Sequence, residues 1–302
     1  MNKTKEQARG KWRGILMHFG VDENFLRDVH GPCPVCGGRD RFRFDDKDGE
    51  GTFYCSQCGP GTGIDLLMRF KGWDFATAAK EADSIVGNVE PVKPKPKRDK
   101  RPMLRKIRER LGPMRGEVAD YLLGRKLPVH LARYLKQAKL NYFDKETNRS
   151  LGEFHCMVGE IVSPSGKLVG YHLTHLESGK KADVPSPKKT MALEGRLHGS
   201  CVRLTKVCSH IGITEGIESA IAVMGLFNIP CWSALNTSVL ERWVPPEGVS
   251  SVTIYADNDK NFAGQKSAYC LANKLSLKGL DVSVVVPEKP GTDFADVLVA
   301  ND

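Results

Sequence analysis

His210–Ala220 reads HIGITEGIESA and Val252–Asp259 reads VTIYADND. Each is a short apolar run rich in β-branched residues that stops on carboxylates, Glu215 in the first and Asp257 with Asp259 in the second. Two further runs, Pro230 to Ala234 and Val282 to Val286, make four, separated by helical patterns. The clearest is Ala263 to Lys278, where Ala268, Leu271, Ala272 and Leu275 fall at helical spacing before Gly279. Strand alternating with helix predicts an α/β fold with a doubly wound parallel sheet over 211–302. The carboxyl ends of such strands share one rim, where open α/β folds bind ligands, so Glu215 and Asp257 are expected there. Asp293 and Asp296, in GTDFAD after the fourth run, bring acids from a third strand end. Carboxylates gathered without lysine partners repel one another. Divalent cations that take one or two carboxylates and also accept phosphate oxygens, two ions of magnesium or manganese, are the charge that would keep them together.

Upstream lies a second metal pattern. Cys33, Cys36, Cys55 and Cys58 form C-x2-C-x18-C-x2-C, with Gly37, Gly38 and Gly59 behind the pairs. Two-residue spacing turns both thiolates of a knuckle toward one ion, and four sulfurs close the tetrahedron of one structural zinc. His30 reads as a plain surface residue. Between the pairs, Arg39, Arg41 and Arg43 alternate with Asp40, Phe42 and Phe44, which as a strand puts the arginines on one face and the phenylalanines in a small core with Phe53 and Tyr54. Those arginines are candidates for a nucleic-acid surface. The other five cysteines are scattered without fixed spacing, as expected of buried thiols in a reducing, cytoplasmic setting. No signal peptide and no membrane-length apolar run is visible.

The net charge of +9 is unevenly spread. Residues 1–87 balance 13 basic against 13 acidic groups; 88–110 carry 10 against 3; 111–210 carry 16 against 9; 211–302 carry 6 against 11. A basic middle beside an acidic end suits a protein that holds a polyanion with one part and cations with another. The sequence therefore divides into a zinc ribbon (1–87), a Pro/Lys-rich linker (88–110) containing EPVKPKPKRDKRP, a basic α+β middle (111–210) and the acidic sheet (211–302). Arg105 to Leu123 and Val129 to Gln137 read as helices. The loop GKKADVPSPKK offers Lys180, Lys181, Lys188 and Lys189 to phosphate or template, with Arg196 and Arg203 as further candidates.

ITEGIESA (213–220), YADNDKNFA (255–263) and GTDFADVL (291–298) resemble the three signatures of the TOPRIM domain, which DnaG-type primases share with topoisomerases and some nucleases. His30 to Leu67 resembles the zinc ribbon of phage and plasmid primases and primase-helicases. The resemblance implies that the four cysteines hold zinc, that Glu215 is the TOPRIM glutamate, that Asp257 and Asp259 are its paired metal ligands, and that Asp293 is the acid of the last signature. Asp293 and Asp296 are separated by two residues where cellular DnaG proteins usually have one. The implied activity is DNA primase, a nucleotidyltransferase that makes short primers, expected to be RNA, on single-stranded DNA from nucleoside triphosphates during phage or plasmid DNA replication. Asp257 and Asp259 anchor metal; Glu215 binds metal or accepts the proton. A TOPRIM nuclease and a non-catalytic zinc-ribbon adaptor are the alternatives, and a topoisomerase would need a tyrosine-bearing domain for which the chain has no room. No G-x4-G-K-[ST] loop is present, so unwinding is expected from a separate helicase.

Overall fold

The alternation around Phe42 does produce a strand. In the computed structural model, which describes residues 3–91, 99–144, 146–193 and 197–301, Gly37–Phe44 is the second of four antiparallel strands with Gly31–Cys33, Phe53–Cys55 and Gly59–Gly61. Phe42 and Phe44 are buried, and Phe42 stacks on Phe53 at 5.5 Å between centroids. The helix Trp12–His18 buries Trp12, Ile15 and Leu16 in the same core. Trp12 fits because Gly63 leaves room: a Cβ there would lie 2.1 Å from the indole. Helix Gly63–Lys71 starts on a capping box between Thr62 and Asp65, and Phe75–Ile85 starts on Asp74, which accepts the Thr77 amide at 2.8 Å. These elements form one compact unit, 1–98; residues 99–302 form the other.

Of the expected linker, 92–98 lie outside the described residues, and its last part is not linker. Arg101–Glu109 is a helix whose Leu104 and Ile107 pack against Ala138, Leu140, Cys156 and Leu173 of the second unit. Apolar residues three apart on one helix face outweighed the basic composition. The expected continuous helix to Leu123 breaks at Gly112 and Gly116 and resumes at Glu117–Gly124, and the one expected to end at Gln137 is a single 3-10 turn, Val129–Ala132. From Lys136 the chain is strand, with Ala138, Leu140, Tyr142 and Asp144 inward at period two.

Lys136–Asp144, Arg149–Val162, Leu168–Glu177 and Lys188–Ala192 form an antiparallel meander. Cys201–Val202 then pairs antiparallel with Arg149–Val162 on one side and with Cys231–Ser233 on the other. It joins the meander to four parallel strands ordered Cys231–Ser233, His210–Thr214, Ser251–Tyr255, Asp281–Val285. The expected middle and acidic parts thus share one 11-stranded sheet and one compact unit. The parallel part is doubly wound: Ile217–Phe227 and Phe294–Asn301 cover one face, Thr237–Leu240 and Ala263–Ser276 the other. No helix among the described residues is long and apolar enough to cross a membrane.

Candidate functional site

The parallel register aligns Thr214 with Tyr255, so the next residues, Glu215 and then Asp257, leave adjacent strands at the same rim. The Glu215 backbone is clamped there: its carbonyl accepts the Leu235 amide at 2.7 Å and the Ser233 hydroxyl at 2.8 Å. Asp259 is fixed by the next helix, whose Gly264 amide donates to Oδ2 at 2.8 Å. Only glycine fits that turn closely, because a Cβ on Gly264 would stand 2.6 Å from the Asp257 carbonyl. Asp293 is placed by packing: Tyr255 meets Phe294 edge-on at 5.1 Å, and the Asn258 carbonyl and amide bind Gly291 and Thr292 at 2.6 and 3.0 Å.

The electrostatics show how these acids sit together. Burial first, then the charges of Glu215, Asp293 and Asp259, push the Asp257 carboxyl up to about 7. Burial and Asp259 raise Glu215, against the pull of Lys188 and the Thr237 amide. Asp257 Oδ1 is buried without a hydrogen-bond partner. An orphaned carboxylate oxygen among like charges is what a divalent cation would satisfy, so the donor set fits magnesium or manganese. The carboxylates are not drawn tightly together: among the described residues, only the cysteine set brings three or more ligand atoms all within 4.8 Å of one another.

Asp296 has a different task. Its Oδ2 accepts the Asp293 amide at 3.1 Å while Asp293 Oδ1 accepts the Asp296 amide at 3.0 Å, a reciprocal box that caps helix Phe294–Asn301. A capping box needs three-residue spacing, which accounts for the two intervening residues. Asp296→Ala is therefore expected to cost about 1 kcal/mol of stability, read by thermal melting.

A residue not singled out from sequence sits behind the rim. Glu218 is buried, accepts from Tyr121 Oη at 2.9 Å and pairs with Lys188 at 3.0 Å and Lys181 at 3.5 Å. Burial alone would raise its carboxyl, but the two ammoniums outweigh it and hold it at about 2. Lys181 is itself pushed down by burial, so the net gain of the pair is smaller than the Glu218 shift implies. Lys188 acts on Glu215 and Asp257 as well as on Glu218. It is thus the cation between the buried anchor and the rim. The i+3 position of Glu218 after Glu215, on the buried face of a helix, was the available signal.

The remaining basic candidates divide. The Lys180 side chain is exposed and has no partner among the described residues. Lys189 is engaged within the fold, donating to the Phe143 carbonyl at 2.7 Å over the Tyr142 ring. Arg203 is a correction: it donates to the Ser163 and Pro164 carbonyls at 2.9 and 3.1 Å and stacks on Trp232, so its guanidinium clamps a turn instead of facing nucleic acid. Arg196 lies outside the described residues.

In the first unit, Cys36 and Cys55 sulfurs stand 3.6 Å apart and Cys33 and Cys58 4.0 Å. Tetrahedral ligation at about 2.3 Å per Zn–S bond requires sulfurs about 3.8 Å apart, so the site fits one structural zinc. The Val35 and Cys58 amides donate to Cys33 and Cys55 sulfurs, both at 3.4 Å, and Arg69 donates to the Cys58 carbonyl at 3.0 Å. His30 turns to the Asp40 carbonyl instead, at 3.0 Å. Arg39 is exposed and Arg41 half-buried, and neither side chain has a hydrogen bond or ion pair among the described residues, while Arg43 is neutralised by Asp28 at 3.2 Å and Asp45 at 3.4 Å. Tyr54, half exposed, pairs across the strands with Arg43 and adds an aromatic to this face.

Residues 29–64 match a zinc-binding domain of primase-helicase, 210–301 a Toprim domain, and 98–204 a domain of unknown function. Among solved structures, the chain is similar to a DNA primase domain from Pseudomonas aeruginosa (15% identity, 67% of this chain and 75% of that one, TM-score 0.46). It is also similar to the zinc-binding and RNA polymerase domains of the Aquifex aeolicus primase (14%, 98% and 82%, 0.43). A third is the primase fragment of the bacteriophage T7 primase-helicase protein (17%, 90% and 95%, 0.43).

Proposed function

We infer, from a primase-type zinc-binding domain and a Toprim domain in one chain, a DnaG-like primase that joins nucleoside triphosphates into short RNA primers on single-stranded DNA. The observation that carries this reading is the convergence of Glu215, Asp257, Asp259 and Asp293 at one rim, with a buried, unpartnered carboxylate oxygen among them.

Asp257, Asp259 and Glu215, with Asp293 at the border, are the residues that would hold divalent cations. Bound there, the cations neutralise the triphosphate and make the attacking hydroxyl more acidic. The 3′-hydroxyl of one nucleotide attacks the α-phosphorus of the next; the bond to the leaving pyrophosphate breaks as the new ester forms. Lys188 and Lys181, held from behind by Glu218, present ammoniums to the phosphates. Glu215, its proton affinity raised by burial and Asp259, binds the cation or takes the hydroxyl proton. Arg39, Arg41 and Tyr54 of the ribbon are the surface offered to template. The ribbon's match to a zinc-binding domain of primase-helicase supports work beside a helicase; a separate helicase and replication of a phage or plasmid are part of the same proposal.

Incubation with magnesium, all four ribonucleoside triphosphates and a random single-stranded DNA pool tests the reading. Template-dependent short oligomers are expected; nicked DNA with no oligomers would assign the rim to a nuclease.

Glu218→Gln keeps the shape but frees both lysines. We expect the KM for nucleotide to rise about tenfold, with stability at neutral pH lower by about 2–3 kcal/mol, discounted because both ammoniums reach solvent. The sign with pH is set by a depressed carboxyl: its contribution is fully present above about 4.5 and lost as pH falls toward about 2. Denaturant titrations of the two proteins should therefore converge across that window. Parallel curves would mean that Glu218 is not the charged anchor.

A further inference from the structure

Among the described residues, two apolar side chains hold a positive φ, Leu235 at 77° and Phe262 at 61°. Both border the acidic rim: the Leu235 amide donates to the Glu215 carbonyl at 2.7 Å and the Phe262 amide to the Asp259 carbonyl at 3.0 Å. The other non-glycine residues with positive φ are Asp, Asn, Ser and Lys, mostly types that turns tolerate in this region. Leu235 has a packing reason, since its side chain rests on the core beneath Ile217–Phe227. Phe262 has none. It is 69% exposed and, among the described residues, belongs to no core cluster and makes no ring contact. Its backbone is nevertheless held firmly, by the Asp259 carbonyl before it and by the Lys266 amide, which donates to its own carbonyl at 2.9 Å. Glycine would adopt this turn at lower cost, so nothing inside the fold rewards a phenylalanine there.

We propose that Phe262 is a stacking platform for a nucleobase at the edge of the acidic rim. This rests on the primase reading above and adds a base-binding subsite to it. A large apolar ring displayed to solvent three residues after Asp259 matches the face of a base. Stacking accepts any base, as a template-directed polymerase requires. The base belongs either to the incoming nucleotide or to the template strand. The rigid turn orders the ring before either arrives.

The test compares the full-length wild type with Phe262→Gly, Phe262→Leu and Phe262→Tyr. Phe262→Gly relieves the backbone, so its melting temperature should rise. If the ring stacks on the incoming base, the nucleotide KM rises about tenfold in the Gly and Leu variants and is restored by Tyr, with kcat within about twofold. If it stacks on the template, the same pattern falls on the half-saturating concentration of template. A Gly variant that is more stable and unchanged in both quantities would overturn the proposal. Should the wild type make no oligomers, the primase reading fails separately. The subsite is then judged by whether the indole fluorescence of Phe262→Trp, less that of the wild type, is quenched by short oligodeoxythymidylate or by ATP; no quenching by either overturns it.

Discussion

Replacing Asp257 and Asp259 together by asparagine should lower template-dependent primer synthesis by about a thousandfold or more and, in magnesium-free buffer, raise the melting temperature of the 99–302 unit. The first effect follows from the several kcal/mol that bound cations contribute to phosphoryl transfer. The second follows from repulsion. The Asp257 carboxyl is lifted to about 7 by burial and by Glu215, Asp293 and Asp259, so without cations its charge is a cost to the fold. A carboxyl raised above its unfolded value contributes stability at low pH that is lost as pH rises through about 7. The advantage of the double variant should therefore grow toward neutral pH and level off above it, at about 2–4 kcal/mol after allowance for solvent screening. Magnesium should stabilise the wild type and not the variant. Calorimetry with and without magnesium, beside the primer assay, measures both. A variant that melts lower in magnesium-free buffer would make the acids supports of the fold instead of a cation site.

Removing zinc should have the largest effect on the other unit. Structural zinc binding in zinc-finger peptides is worth about 10–16 kcal/mol at neutral pH, at or above the whole stability of a domain this size. Cys33 and Cys55 are buried in the same core as Trp12 and Phe53, so losing the ion withdraws the anchor of both knuckles from that core. Chelation, or Cys55→Ser, is expected to abolish the thermal transition of the 1–98 unit and to shift Trp12 and Trp73 fluorescence to the red. The melting of the 99–302 unit should be unchanged, and zinc, but not magnesium, should reverse the chelation. Undiminished melting of the first unit without metal would rule out zinc as its staple.

The parts legible in the sequence are those set by neighbours along the chain. Alternation from Arg39 to Phe44 placed Phe42 and Phe44 in the core, and two-residue cysteine spacing built both knuckles. The apolar runs before Glu215 and Asp257 became adjacent parallel strands. The misreadings came where a distant partner overruled local composition. The basic segment from Arg101 became helix because Leu104 and Ile107 found a sheet to cover, and Lys136 began a strand because Arg149–Val162 lay ready to pair with it.

Sequence alone determined how the four cysteines pair into knuckles and which strand ends carry acid, since spacing and period are properties of the local backbone. Tertiary structure decided the rest: one sheet crosses residue 210, Glu218 anchors Lys181 and Lys188, Arg203 is spent on a turn, and Asp296 is a cap. Each of these depends on what a charged or apolar side chain meets after the chain has folded. Burial and opposite charge reach that side chain from residues up to about a hundred positions away, as Tyr121 reaches Glu218, and no local pattern encodes such an encounter.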